Sequence, residues 1–153
     1  MPLFCLLFFA YYYQIMREIC FEIVELESGT YHPLIAAEFP GLEKYCWVID
    51  SGASKSVFDV SLTDYYFSEE EVAVMATGLG KEVVETGSGT ISELIIGGIN
   101  FGALKVALVD FQHINNEYAK FTDKKIAGLI GCDFLFSRKA VLDFDRTTLL
   151  LYL

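Results

Sequence analysis

Histidine is scarce in this chain, and clustered positive charge is missing altogether. The only histidines are His32 and His113, and the four cysteines (Cys5, Cys20, Cys46 and Cys132) never form a CxxC or another metal-ligand spacing. A structural zinc site draws four such ligands from close spacings, so no metal is expected. Cys46 and Cys132 lie in apolar runs, where thiols are inert core groups rather than nucleophiles. Isolated cysteines of this kind fit a reducing compartment. Lysine and arginine number 11 against 21 acids, for a net charge of −10, and no basic run occurs. Gripping phosphates takes clustered cations, which argues against nucleic acid as a partner. No G-x-S-x-G elbow offers a serine nucleophile. Gly87-Ser88-Gly89 lacks the third glycine of a dinucleotide loop, and no cofactor is expected.

Repeats, low-complexity tracts and linkers are also absent, so the 153 residues read as one domain with room for a core. What the chain has in plenty is apolar surface: 54% of residues are hydrophobic and the mean hydropathy is +0.41. Either a membrane segment or burial by oligomerisation would account for this excess. Residues 1–16, MPLFCLLFFAYYYQIM, are almost wholly apolar. They fall short of the ~20 residues that cross a bilayer. They also lack a positive n-region and a clear small-x-small cleavage site. The stretch reads as an interfacial anchor, an additional packing segment or an over-early start. Residues 1–20 are therefore set apart as an apolar extension, and residues 21–153 as the domain. The expected location is cytoplasmic, with membrane association through residues 1–16 as the alternative.

The pattern from Cys20 onward is mainly β. Residues 21–27 (FEIVELE) alternate apolar and acidic, the period of a half-buried strand. Ser28-Gly29 and Pro40-Gly41 punctuate it, with a second strand between them. Residues 45–50 (YCWVID) form a short apolar strand that ends on an acid. Residues 68–76 carry both a capping-box pattern and a strand pattern. The strand is preferred because Gly78-Leu79-Gly80 follows as a hairpin turn. Residues 81–85, 90–96 and 101–109 continue in β fashion, with Gly97-Gly98 as a turn. Residues 112–121 suit a short helix. After Ile126 to Gly131, Asp133 is placed to N-cap a helical turn through Phe136. Residues 141–144 and 148–153 close the chain as strands.

Two segments carry the chemistry. In Trp47-Val48-Ile49-Asp50-Ser51-Gly52-Ala53-Ser54 an apolar strand delivers a carboxylate to a sharp turn. A charge in such a place needs a partner or a proton. Taken alone, the triplet Asp50-Ser51-Gly52 reads as an ordinary Asx turn after a strand. Far downstream, Leu129-Ile130-Gly131-Cys132-Asp133-Phe134-Leu135 places two apolar residues and a glycine before a short helix. The pair DSGA and LIGCDFL resembles the signature of retropepsin-like aspartic peptidases, over roughly residues 21–153. In that family a D-T/S-G loop precedes a glycine-rich flap hairpin, an apolar-apolar-Gly brace, a short helix and terminal strands.

The resemblance implies an all-β fold: a closed acid-protease barrel with a flap hairpin and one short C-terminal helix. It implies that Asp50 is the catalytic carboxylate, supported by Ser51, Gly52 and Ala53. Ser51, where Thr is usual, would bond across a dimer, and Gly52 would admit the substrate backbone. Gly78, Leu79 and Gly80 would form the flap over a peptide or protein substrate. Leu129, Ile130, Gly131 and Asp133 would brace the loop. Residues 148–153, a flat apolar strand, would pair with their symmetry mate. Hydrolysis without metal or covalent intermediate needs both a base and an acid. Two carboxylates sharing one proton supply both, yet the chain has a single D-S/T-G; Asp143 and Asp145 lack a following glycine. A two-fold homodimer would provide the second Asp50. The alternative is a catalytically silent binding or assembly domain on the same barrel.

Overall fold

A computed structural model describes residues 16–69, 74–76 and 84–153. Its strands are β1 (Met16–Cys20), β2 (Glu22–Glu27), β3 (Thr30–Ala36), β4 (Tyr45–Ile49), β5 (Val57–Asp59), β6 (Phe67–Ser68), β7 (Val74–Ala76) and β8 (Val84–Ile91). They continue with β9 (Ile95–Ile96), β10 (Ile99–Asn100), β11 (Leu104–Val109), β12 (Lys125–Ile130), β13 (Val141–Asp143) and β14 (Thr148–Tyr152). Two helices, α1 (Gln112–Tyr118) and α2 (Cys132–Ser137), and a 3-10 turn at Thr63–Tyr65 complete the described elements. No helix among the described residues is long and apolar enough to cross a membrane.

Nine strands form the main sheet, in the order β2-β3-β4-β12-β5-β11-β8-β6 with β7 also on β8. Local chemistry sets the hairpins. Gly97 and Gly98 take φ of +59° and +73° between β9 and β10, and two successive positive φ angles are what a tight β-hairpin turn requires. The central arrangement is non-local. β12 lies between β4, which runs parallel to it, and β5, which runs antiparallel. Alternation along β4 buries Trp47 and Ile49 in the larger core and turns Cys46 to the opposite face of the sheet. There Cys46, Leu34 and Ile126 pack against Phe111 and Tyr118 of the α1 segment.

The chain ends form a separate three-stranded sheet, β1-β14-β13. Residues 16–20, read from the sequence as part of the extension, pair along their whole length with β14, from Met16↔Tyr152 to Cys20↔Thr148. Leu149 and Leu151 are fully buried in the larger core. Both edges of β14 are thus occupied, by β1 and by β13. This overturns the expectation that residues 148–153 pair edge to edge with a symmetry mate, because the hydrogen-bonding groups of β14 are spent within the chain.

The expected barrel is not closed either. Closure requires the first and last strands to share a ladder, and among the described residues β2 and β6 do not pair. The structure is mostly β with few helices. Of the strand expected over residues 68–76, Ser68 ends β6 and Val74–Ala76 form β7, which pairs antiparallel with β8 from Val74↔Thr86 to Ala76↔Val84; residues 70–73 lie outside the described residues. The glycine-rich turn Gly78-Leu79-Gly80 lies outside the described residues.

Candidate active site

Topology dictates where Asp50 sits. Because β4 and β5 flank β12, residues 50–56 that join them must cross the C-terminal end of β12. Close contact makes this crossing possible. A Cβ on Gly131 would lie 2.6 Å from the Lys55 carbonyl and 2.9 Å from the Ala53 oxygen, so only glycine fits. One step earlier, a Cβ on Gly128 would fall 2.0 Å from the Val57 oxygen and 2.6 Å from the Trp47 ring. The bulge between Ile126 and Gly128 lies at this same crowded point.

Backbone bonds tie the loop to β12 and α2. The Asp50 amide donates to the Ile130 oxygen at 3.0 Å, and the Cys132 amide donates to the Ala53 oxygen at 2.8 Å. Within the loop, the Ala53 amide donates to the Asp50 oxygen at 3.2 Å. The half-buried Asp50 carboxylate accepts from the Gly52 amide at 2.9 Å. A Cβ at residue 52 would come within 3.1 Å of that oxygen. Ser51 and Gly52 are exposed, and the Cys132 thiol donates to the Ser51 carbonyl at 2.9 Å. The structure therefore brings Asp50, Ser51, Gly52 and Ala53 together with Ile130 and Gly131. Leu129, which pairs with Val48, turns away and packs on the α1 side of the sheet.

Asp133 has a different local role from the one expected. The N-cap of α2 is Gly131, whose extended backbone (φ −96°, ψ −178°) precedes the helix without a side-chain cap. Asp133 lies inside the first turn, and its carboxylate faces both its own helix and the loop. Oδ1 accepts from the Phe134 amide at 2.8 Å, from the Ser56 amide at 2.9 Å and from the Ser56 hydroxyl at 2.7 Å. The Ser56 hydroxyl in turn accepts from the Gly131 amide at 3.0 Å. Ser56 is 0% exposed and was not singled out from the sequence. The signal for it was weak: one serine among three between Ser51 and Ser56, with nothing to mark it as the buried one.

Among the described residues, no group of three His, Cys, Asp or Glu side chains gathers to hold a metal ion. Asp143, the other acid weighed from the sequence, accepts from the Arg146 amide at 3.0 Å in the β13–β14 turn. His32 shares a hydrogen bond with the buried Tyr118 hydroxyl, and is thus a packing group between β3 and α1.

With this geometry in place, comparison with known proteins is informative. Residues 35–134 match the family model described as aspartyl protease. That span runs from β3 through the Asp50 loop to the first turn of α2. Among solved structures, the chain is similar to a retropepsin-like aspartic protease from Rickettsia conorii, with a TM-score of 0.50 and 20% identity over 89% of this chain and 90% of that one. At this identity the likeness is one of fold. No curated protein matches the chain.

Proposed function

The chain belongs to the aspartyl protease family, whose chemistry is peptide-bond hydrolysis, and from that premise we propose that it is an endopeptidase whose working unit is a homodimer with one Asp50 from each copy. The observation that carries this reading is the crossing of residues 50–56 over Gly131. It holds Asp50 in a loop pinned to β12 and α2, with the exposed Ser51 and Gly52 beside it. The peptidase domain is residues 21–153, with residues 16–20 lending β1 to its terminal sheet. On this reading β7 and β8 are the arms of the flap, and Gly78, Leu79 and Gly80 are assigned to it by sequence order alone. Ile130, Gly131 and Asp133 brace the loop, while Leu129 supports β12 from the α1 side. The free thiols of Cys20, Cys46 and Cys132 suit a reducing, cytoplasmic setting.

Two like charges at close range cannot both ionise cheaply, so the pair keeps one proton. The ionised carboxylate takes a proton from water as the water oxygen bonds to the scissile carbonyl carbon. The protonated carboxyl gives its proton to the carbonyl oxygen. As the tetrahedral diol collapses, the carboxyl that took the water's proton gives it to the nitrogen while the C–N bond breaks, and the other carboxylate takes a hydroxyl proton from the diol, which restores the singly protonated pair. Ser51 hydroxyls bond across the two-fold axis, and Gly52 lets the substrate backbone approach.

The test is Asp50→Asn. Asn keeps the shape and can still accept from the Gly52 amide, so the fold and the dimer should persist. Both acid–base groups vanish together; each is worth roughly 10²–10⁴ in rate, though such effects need not add. Cleavage of a peptide library should disappear while circular dichroism and sedimentation stay unchanged. A folded Asp50→Asn dimer that cuts at the wild-type rate would refute the assignment.

A further inference from the structure

An apolar knob and an apolar hole lie side by side next to the Asp50 loop. Phe136, on the last turn of α2, is 88% exposed. It stands at the rim of a cavity of about 810 Å³ walled by Ile49, Ser51, Leu135, Ala140, Leu142 and Leu149. The full lining contains no acid, and its single charged group, Lys139, has its ammonium 5.7 Å above the Tyr152 ring. On a chain with 21 acids and 11 bases this is an unusual piece of surface. Two copies that each carry −10 repel one another, and a lining without acids keeps further carboxylates out of the contact.

We propose that this face is where a second copy of the chain docks, with Phe136 of each copy seated in the cavity of the other. The inference rests on the shared-dyad reading above and specifies the partner surface that reading needs. In an isologous dimer, residue i of one copy meets j of the other and j meets i, so one adjacent knob and hole serve twice. Ser51 forms part of the cavity wall. A copy seated here therefore brings its own catalytic loop beside the first and completes a site that holds one carboxylate per chain. The edges of β14 cannot do this, since β1 and β13 occupy them. Phe136, 88% exposed, lies on the available surface.

The experiment is Phe136→Ser in the full chain, followed by sedimentation and by peptide cleavage across a range of protein concentrations. The ring is almost wholly in solvent within one chain, so folding should be untouched. Loss of two buried rings should raise the dimer dissociation constant by roughly a hundredfold or more. Activity should vanish at low concentration and return as concentration rises, because Asp50 is intact. Asp50→Asn should instead dimerise and stay inactive at every concentration. A Phe136→Ser protein that dimerises as tightly as wild type overturns this surface and leaves the dyad reading standing. A monomeric wild type that cleaves peptide sinks both. A wild type that stays monomeric across the whole concentration range would also overturn the proposal.

Discussion

The Asp50 loop should depend on a serine that touches no substrate. Ser56 donates twice to Asp133 Oδ1, through its amide and its hydroxyl, and its hydroxyl accepts from the Gly131 amide. Ser56→Ala keeps the amide bond and removes the other two. A hydrogen bond to a charged acceptor is worth about 1.5–3 kcal/mol, and a buried donor left unpaired costs about 1–3 kcal/mol. The expected loss is therefore about 3–5 kcal/mol, a large share of a typical domain's stability of about 5–15 kcal/mol. The Asp133→Asn protein keeps an oxygen for the same three donors and loses only the charge, so it should cost about 1–2 kcal/mol. The two substitutions share one bond, so their effects should fall short of additive in the double variant by about 1 kcal/mol or more. Urea unfolding followed by circular dichroism measures all three at one fixed protein concentration, since a dimer's stability varies with concentration. Peptide cleavage should fall by roughly 10- to 100-fold in Ser56→Ala, because the loop loses its register over β12. A Ser56→Ala protein within 0.5 kcal/mol of wild type would refute this account of how the loop is held.

Gly128→Ala should be among the most damaging single changes in the chain. Its Cβ would sit 2.0 Å from the Val57 oxygen, where only backbone movement can relieve the clash, so a fall in unfolding free energy of about 3 kcal/mol or more is expected by denaturant titration. A soluble protein with an unshifted urea midpoint would contradict the packing of β12 between β4 and β5. Tyr118 makes a pH prediction. Burial, with a smaller contribution from Cys46, pushes its phenol from 10.0 up to about 12. A raised pKa means that the folded state holds the proton more tightly. This stability is complete below pH 10 and lost as the pH climbs through about 12, by roughly 3 kcal/mol. Tyr118→Phe should flatten that alkaline loss in a stability-versus-pH series, and an unchanged profile would exclude Tyr118 as its source.

Much of the candidate site's framework was legible from residue order, because a strand end, a sharp turn and a glycine step each need particular residue types at fixed places along the chain. An apolar strand that ends in Asp50-Ser51-Gly52 and an Ile130-Gly131 step before a short helix can be read without coordinates. The structure then shows the strand β4, the glycine crossing and the helix α2 in that sequence. The helix over residues 112–118 and the turn at Gly97-Gly98 were likewise legible, since both depend on neighbours in sequence. Ser56 was not, because its partners lie 75 and 77 residues away. Nor was β5, whose three residues are too few to show a period. Asp133 looked like an N-cap because an Asp before an apolar turn commonly is one. What local pattern could not weigh was the pull of Ser56, which holds the carboxylate between its own helix and the loop.

The terminal strand marks the boundary most sharply. Residues 148–153 carry apolar side chains on both faces; Leu149 and Leu151 are fully buried, and Leu150 and Tyr152 on the other face are half-buried. Hydrophobic pattern specifies that a strand is covered, but it carries no information about which edge covers it. Residues 16–20 supply one edge and residues 141–143 the other, although the first of these was set apart with residues 1–20 as an extension. Once β1 and β13 have satisfied β14, the proposed shared dyad still calls for a second Asp50, while the surface first expected to bring it is gone. The partner must then be sought where apolar groups stay uncovered within one chain, and beside the Asp50 loop that is the face of α2 around Phe136.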